Sequence, residues 1–193
     1  GFPGGDGSEQ YPYHVATPVH LSLISGHANK YFKLTTDIDL DAFLWDNDAN
    51  DYINDGQGWE PIGNLNVMFQ GVFDGNNYVI NNLYINRSTY FCGLFGKMNN
   101  ASIMNLGLTN VDVTGSDYTG ALVGAIESST IDFCYSTGCV EGVNNCIGII
   151  GGLIGYSGGP STITNSFSKT NVTGNNEVGG LVEAYSLLYV VAD

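Results

Sequence analysis

Four short stretches decide the reading of this chain: Cys92-Gly93-Leu94-Phe95-Gly96, Gly120-Ala121-Leu122-Val123-Gly124, Gly151-Gly152-Leu153-Ile154-Gly155 and Gly179-Gly180-Leu181-Val182-Glu183. Their leucines are separated by 28, 31 and 28 residues. A second element keeps step with them: Ile80-Asn81-Asn82-Leu83, Ile103-Met104-Asn105-Leu106, Ile131-Asp132-Phe133-Cys134 and Ile163-Thr164-Asn165-Ser166. A third closes the later units, as Val111-Asp112-Val113-Thr114-Gly115, Cys139-Val140-Glu141-Gly142 and Asn171-Val172-Thr173-Gly174. Three elements recurring in one order mark a repeat architecture.

Each element is a few β-prone residues bounded by Gly, Asn or Ser, and none carries a helical i, i+3, i+4 stripe. A unit with three short strands cannot shield its own Ile, Leu and Val, but stacked units bury them in columns. The expected fold is all-β: a parallel, right-handed β-helix (a solenoid) whose coils rise by the strand spacing of about 4.8 Å. In this reading the glycine after each Leu-x pair takes φ > 0 at a corner. Asn82, Asn105 and Asn165 share one inward-facing phase, where their amides form a ladder or satisfy corner backbone; Phe133 interrupts it.

Residues 1–75 lack the repeat. They are expected to form an N-terminal cap and irregular first coils, because an open β-helix end exposes unpaired backbone and apolar interior. Pro18 to Ala28 reads as a short helix, with Thr17 as N-cap and Pro18 at the first helical position. Tyr31 to Leu40 alternates as a strand, Asp46 to Gly58 is an acidic loop, and Asp74-Gly75 signals a hairpin or a corner. The repeats occupy 76–185. The apolar run within 186–193 either caps the last coil or leads into further chain, all as one continuous domain.

Composition narrows the function. Lys and Arg number 5 against 19 Asp and Glu, a net charge of −14. So few cations cannot neutralise a phosphate backbone, and nucleic acid is not an expected partner. No run of 18 apolar residues exists, so no membrane insertion by this segment is expected. Cys92, Cys134, Cys139 and Cys146 lack close CxxC spacing, which disfavours zinc; buried thiols are the simplest expectation, and a Cys134–Cys139 bridge is the nearest pairing.

The motifs resemble the GLUG family of surface and secreted bacterial proteins. The resemblance rests on Gly93-Leu94-Phe95-Gly96, Gly152-Leu153-Ile154-Gly155, Thr162-Ile163-Thr164-Asn165-Ser166 and Asn171-Val172-Thr173-Gly174. It extends to the preceding Trp59-Glu60-Pro61-Ile62-Gly63 and Phe73-Asp74-Gly75-Asn76. Ala121, Phe133 and Glu183 depart from the pattern, as does the tail from Ala184. The resemblance implies secretion or surface display in adhesin-like multidomain proteins and no catalytic residues in the repeat.

The chemistry-bearing residues give two rival functions. A polysaccharide lyase or hydrolase needs a cationic base or two carboxylates across a cleft. The five cations share no phase; Asp37, Asp39 and Asp41 alternate along one face, equally suited to bonding corner amides. Asp46, Asp48, Asp51 and Asp55 supply hard oxygens in a loop and are the candidate calcium ligands, although the EF-hand pattern fails at Asp51 and Gln57. No other cofactor is expected. The leading expectation is a non-catalytic extracellular module binding a glycan or protein, with the tyrosines, Trp45 and Trp59 as stacking surfaces and flanking domains as further partners.

Overall fold

The computed structural model describes residues 1–48, 51–143, 150–175, 177–185 and 188–191, with backbone alone for 150, 183–185 and 188–191. Within them the chain winds as a parallel β-solenoid. Sheet A has seven strands: Tyr13–Val15, Tyr31–Leu34, Val72–Asp74, Ser102–Met104, Thr130–Asp132, Ser161–Thr164 and Leu188–Val191. Sheet B stacks Ile38–Asp39, Val79–Asn81, Gly107–Gly115, Tyr135–Gly142 and Phe167–Thr173, with Tyr84–Asn86 also paired to Gly107–Gly115. Sheet C joins Thr119–Gly120, Ile150–Gly151 and Val178–Gly179; sheet D joins Phe95–Asn99, Val123–Glu127, Ile154–Gly158 and Val182–Tyr185. Three turns, from Ser102 to Tyr185, carry a strand in all four sheets.

The register confirms the columns. Phe32, Phe73, Ile103, Ile131 and Ile163 lie one above the other in sheet A, each 1% exposed or less. Ile62, Phe95, Val123 and Ile154 do the same in sheet D. A third column changes chemistry along the axis, from Ile38, Ile80 and Leu108 to Ser136 and Ser168. Ser136 stays satisfied: its hydroxyl donates to Gly152 O at 3.0 Å and lies within hydrogen-bond distance of Ser168 Oγ at 3.2 Å. Another passes from Met98 and Ile126 to Ser157.

The first coils use the same sheets. Helix α1 (Pro18–Leu23) starts as expected: the Thr17 hydroxyl accepts from His20 N, and Pro18 stands at the first position. A 3₁₀ turn, Ile24–His27, follows. Leu21 and Ile24 join the core, and Phe2 stacks on Tyr13 at 4.4 Å. The predicted strand over Tyr31 to Leu40 is instead two strands in different sheets, because the chain turns a corner at Thr35–Asp37. At the far end, Leu188–Val191 adds a parallel strand beside Ser161–Thr164 rather than folding back across it.

Three expectations need correction. Ile80-Asn81-Asn82-Leu83 is not in phase with Ile103-Met104-Asn105-Leu106: Ile80 pairs with Ile38 and Leu108 in sheet B, whereas Ile103 pairs with Phe73 and Ile131 in sheet A. The glycines after Leu-x do not take positive φ; Gly96, Gly124 and Gly155 lie within strands of sheet D. They form a column of close backbone approach: a Cβ on Gly124 would lie 2.7 Å from Gly96 O, and one on Gly155 2.6 Å from Gly124 O.

The asparagines, thirdly, take the positive φ themselves: Asn82 61°, Asn105 54°, Asn165 48°. Their amides do not stack on one another or point inward. Each donates to a carboxylate one coil back: Asn82 to Asp39 (2.9 Å), Asn105 to Asp74 (3.0 Å) and Asn165 to Asp132 (2.9 Å).

Candidate functional site

The outer face of sheet B and the corner leading into it gather the exposed chemistry. Outward residues stack in register as Val79, Gly107, Tyr135 and Phe167. Tyr135 and Phe167 lie parallel, 5.2 Å apart at 7°, and Lys169 Nζ sits 5.5 Å from the Phe167 ring centre. Gly107 lies beneath them and leaves room for the Tyr135 ring, which would have to shift if a Cβ were added there. Beside this column, Thr109 donates to Asn81 at 2.8 Å. Asp37, Ile38, Asp39, Val79, Asn81 and Thr109 line an open groove of about 380 Å³.

The groove carboxylates are engaged in holding backbone. Asp37 Oδ1 accepts from Val79 N at 2.8 Å. Asp39 Oδ1 accepts from Asp41 N and Asn82 Nδ2. Those bonds, the Asp41 N–H first, hold Asp39 below its ordinary pKa, the reverse of what a general acid requires. The alternation does not reach Asp41, which opens a one-turn helix, Asp41–Leu44.

The corner before Tyr135 carries Phe133, which is 57% exposed with φ 49°. By register it stands between Asn105 and Asn165. The amide hydrogen bond depends on what the preceding coil presents. Asn105 and Asn165 follow coils that present Asp74 and Asp132, whereas Phe133 follows one that presents Met104, which offers no acceptor.

Of the four candidate calcium ligands, Asp46, Asp48 and Asp51 belong to a small hairpin, Trp45–Asp46 against Asp51–Tyr52, and Asp55 lies in the turn that follows it. Asp46, Asp51 and Asp55 line an open pocket of about 450 Å³. Asp46 accepts from Asp48 N and Asp51 from Tyr52 N. Among the described residues, no three His, Cys, Asp or Glu side chains come together as a group able to hold a metal ion. The hairpin is fastened by Tyr52 stacking on Tyr84 at 3.6 Å. Arg87 is buried and fastens the segment after it, donating to Trp59 O and Gln57 Oε1 and pairing with Glu60 at 2.8 Å. Sequence reasoning passed over Arg87, although a lone cation beside a strand in so acidic a chain was a usable signal.

The cysteines divide. Cys92 and Cys134 are buried free thiols, and Cys134 is pushed up to about 12 by desolvation. Cys139 is free and exposed, so the suggested Cys134–Cys139 bridge is not formed: the two thiols lie on opposite sides of the coil wall. Cys146 lies outside the described residues. No helix among the described residues is long and apolar enough to cross a membrane.

No family model matches the chain. Over 180 residues it is 34% identical to halomucin of Haloquadratum walsbyi, covering 88% of this chain and 2% of that protein. Over 193 residues it is 35% identical to a protein of Evansella cellulosilytica named as a candidate Gly-rich membrane protein, covering 94% of this chain and 21% of that protein. The chain therefore spans a small part of each relative. Among solved structures, a candidate immunoglobulin A1 protease from Bacteroides ovatus superposes with a TM-score of 0.62 at 17% identity, covering 99% of this chain and 70% of that one. That likeness bears on fold alone.

Proposed function

We propose that this chain is a GLUG-type β-helical module of a cell-surface or secreted protein, adhesin-like, that binds a glycan or protein ligand without transforming it. The observation that carries the reading is the outer face of sheet B, where an exposed aromatic stack adjoins a groove of amide, hydroxyl and carboxylate groups. Aromatic rings with polar handles are common in such recognition surfaces. The engagement of Asp37 and Asp39 in holding backbone N–H groups favours binding over hydrolysis. The names of the two relatives, halomucin and a Gly-rich membrane protein, support the surface setting.

The test is to screen the purified chain against arrays of glycans and matrix proteins, alongside a polysaccharide degradation assay. Saturable binding with no released product is expected. Release of sugar fragments from any substrate would overturn the reading in favour of a polysaccharide-processing enzyme.

A further inference from the structure

Phe133 breaks a local rule without a local return. The corner position needs positive φ, which costs an ordinary L-residue about 1–2 kcal/mol and which Asn tolerates far better. The coils before and after meet the need with Asn105 and Asn165. Phe133 meets it with a large apolar ring that is 57% exposed and stacks on no other aromatic among the described residues. Backbone strain and exposed apolar surface kept together mark a position retained for something other than stability.

What surrounds the ring indicates what it meets. Asn105 and Asn165, one coil to either side, use their amide nitrogens on Asp74 and Asp132 and leave both amide oxygens without a partner among the described residues. Tyr135, two residues on, carries a phenol, and Phe167 extends the aromatic surface by one coil. An open aromatic face flanked by hydroxyl-bonding groups suits the C–H face and rim hydroxyls of a pyranose. Asp74, Asp132 and a net charge of −14 disfavour anionic sugars.

We infer that Phe133, with Asn105 and Asn165, forms a binding subsite for a neutral glycan, the ring stacking on one sugar face. The inference rests on the binding function proposed above and names its ligand class.

Retention on cellulose, chitin, mannan and β-1,3-glucan, with polygalacturonate as the anionic control, tests it when wild type is compared with Phe133→Asn. Wild type should be retained by at least one neutral polysaccharide and not by polygalacturonate. Phe133→Asn should melt about 2–4 °C higher yet bind about tenfold more weakly, the loss typical of removing a stacking anchor. A fold-supporting Phe133 would give the opposite melting shift, which would overturn the strain argument. Unchanged retention of Phe133→Asn would remove this subsite and leave the wider binding function standing. Wild type bound by an arrayed protein but by no neutral polysaccharide would overturn the ligand class.

Discussion

At the scale of single residues, the corners of the solenoid work by handing one backbone problem to several side chains. Asparagine takes positive φ at little cost and commits its amide to the coil below, so Asp39–Asn82, Asp74–Asn105 and Asp132–Asn165 join successive coils from outside the core. The asparagines stood out in the sequence, but their direction did not: the partner is an Asp one coil earlier, visible only once the register is known. Cys134 fills a similar place. Its thiol donates to Asp132 O, and one coil later the Ser166 hydroxyl donates to Thr164 O. Cys134→Ser should therefore cost no more than about 1 kcal/mol. With the buried thiol held near 12 against an ordinary 9.0, the unfolded chain loses that proton first. Stability is full below pH 9 and declines as pH climbs from there toward 12. The substitution should remove part of that alkaline slope in denaturant titrations, while Cys92 and Tyr52, both also raised by burial, still contribute to it. Peptide mapping after alkylation of the native protein should find Cys139 labelled and Cys92 and Cys134 protected.

At the scale of elements, the strand periods were legible in the later coils because Ile103, Ile131 and Ile163, and the Leu-x-Gly motifs beside them, recur at nearly constant spacing. The slip over Ile80 was legible too. It precedes Ile103 by 23 residues, whereas Ile103, Ile131 and Ile163 are 28 and 32 apart, so it fell short of a full coil and belonged to the next sheet. The glycine column was visible as a motif but misread as a set of turns, because sequence alone does not tell a glycine needed for its φ from one needed for its missing Cβ. Gly124→Ala discriminates between the two. Its backbone needs no left-handed region, yet the added carbon has nowhere to go between Gly96 O and Tyr118 O. A loss of about 3 kcal/mol by urea denaturation is expected, and retention of wild-type stability would show that the coils can spread at that point. The candidate binding face was less legible, since Tyr135 and Phe167 lie 32 residues apart and become neighbours only through register.

At the scale of the whole molecule, negative charge dominates the surface outside the core. Of the five cations, Arg87 and Lys97 are committed to close pairs with Glu60 and Glu127, and the remaining carboxylates repel one another across the surface. Salt shortens the reach of that repulsion to about 3 Å at 1 M. Raising NaCl from about 0.05 to 1 M should lift the thermal midpoint by about 3–6 °C; a midpoint that falls would mean the ion pairs outweigh the repulsion.

The drift of the interior columns from Ile and Leu toward Ser136, Ser157 and Ser168 has a mechanical consequence. Each coil is held mainly by its immediate neighbours, so cohesion need not be equal along the axis. Where hydroxyls replace branched hydrocarbon, less oily surface is withdrawn from water per step, and the grip between turns weakens. Pulled or heated, this rod should unravel directionally, shedding its serine-lined turns first while the phenylalanine-packed ones hold, so that it yields by stages and not all at once.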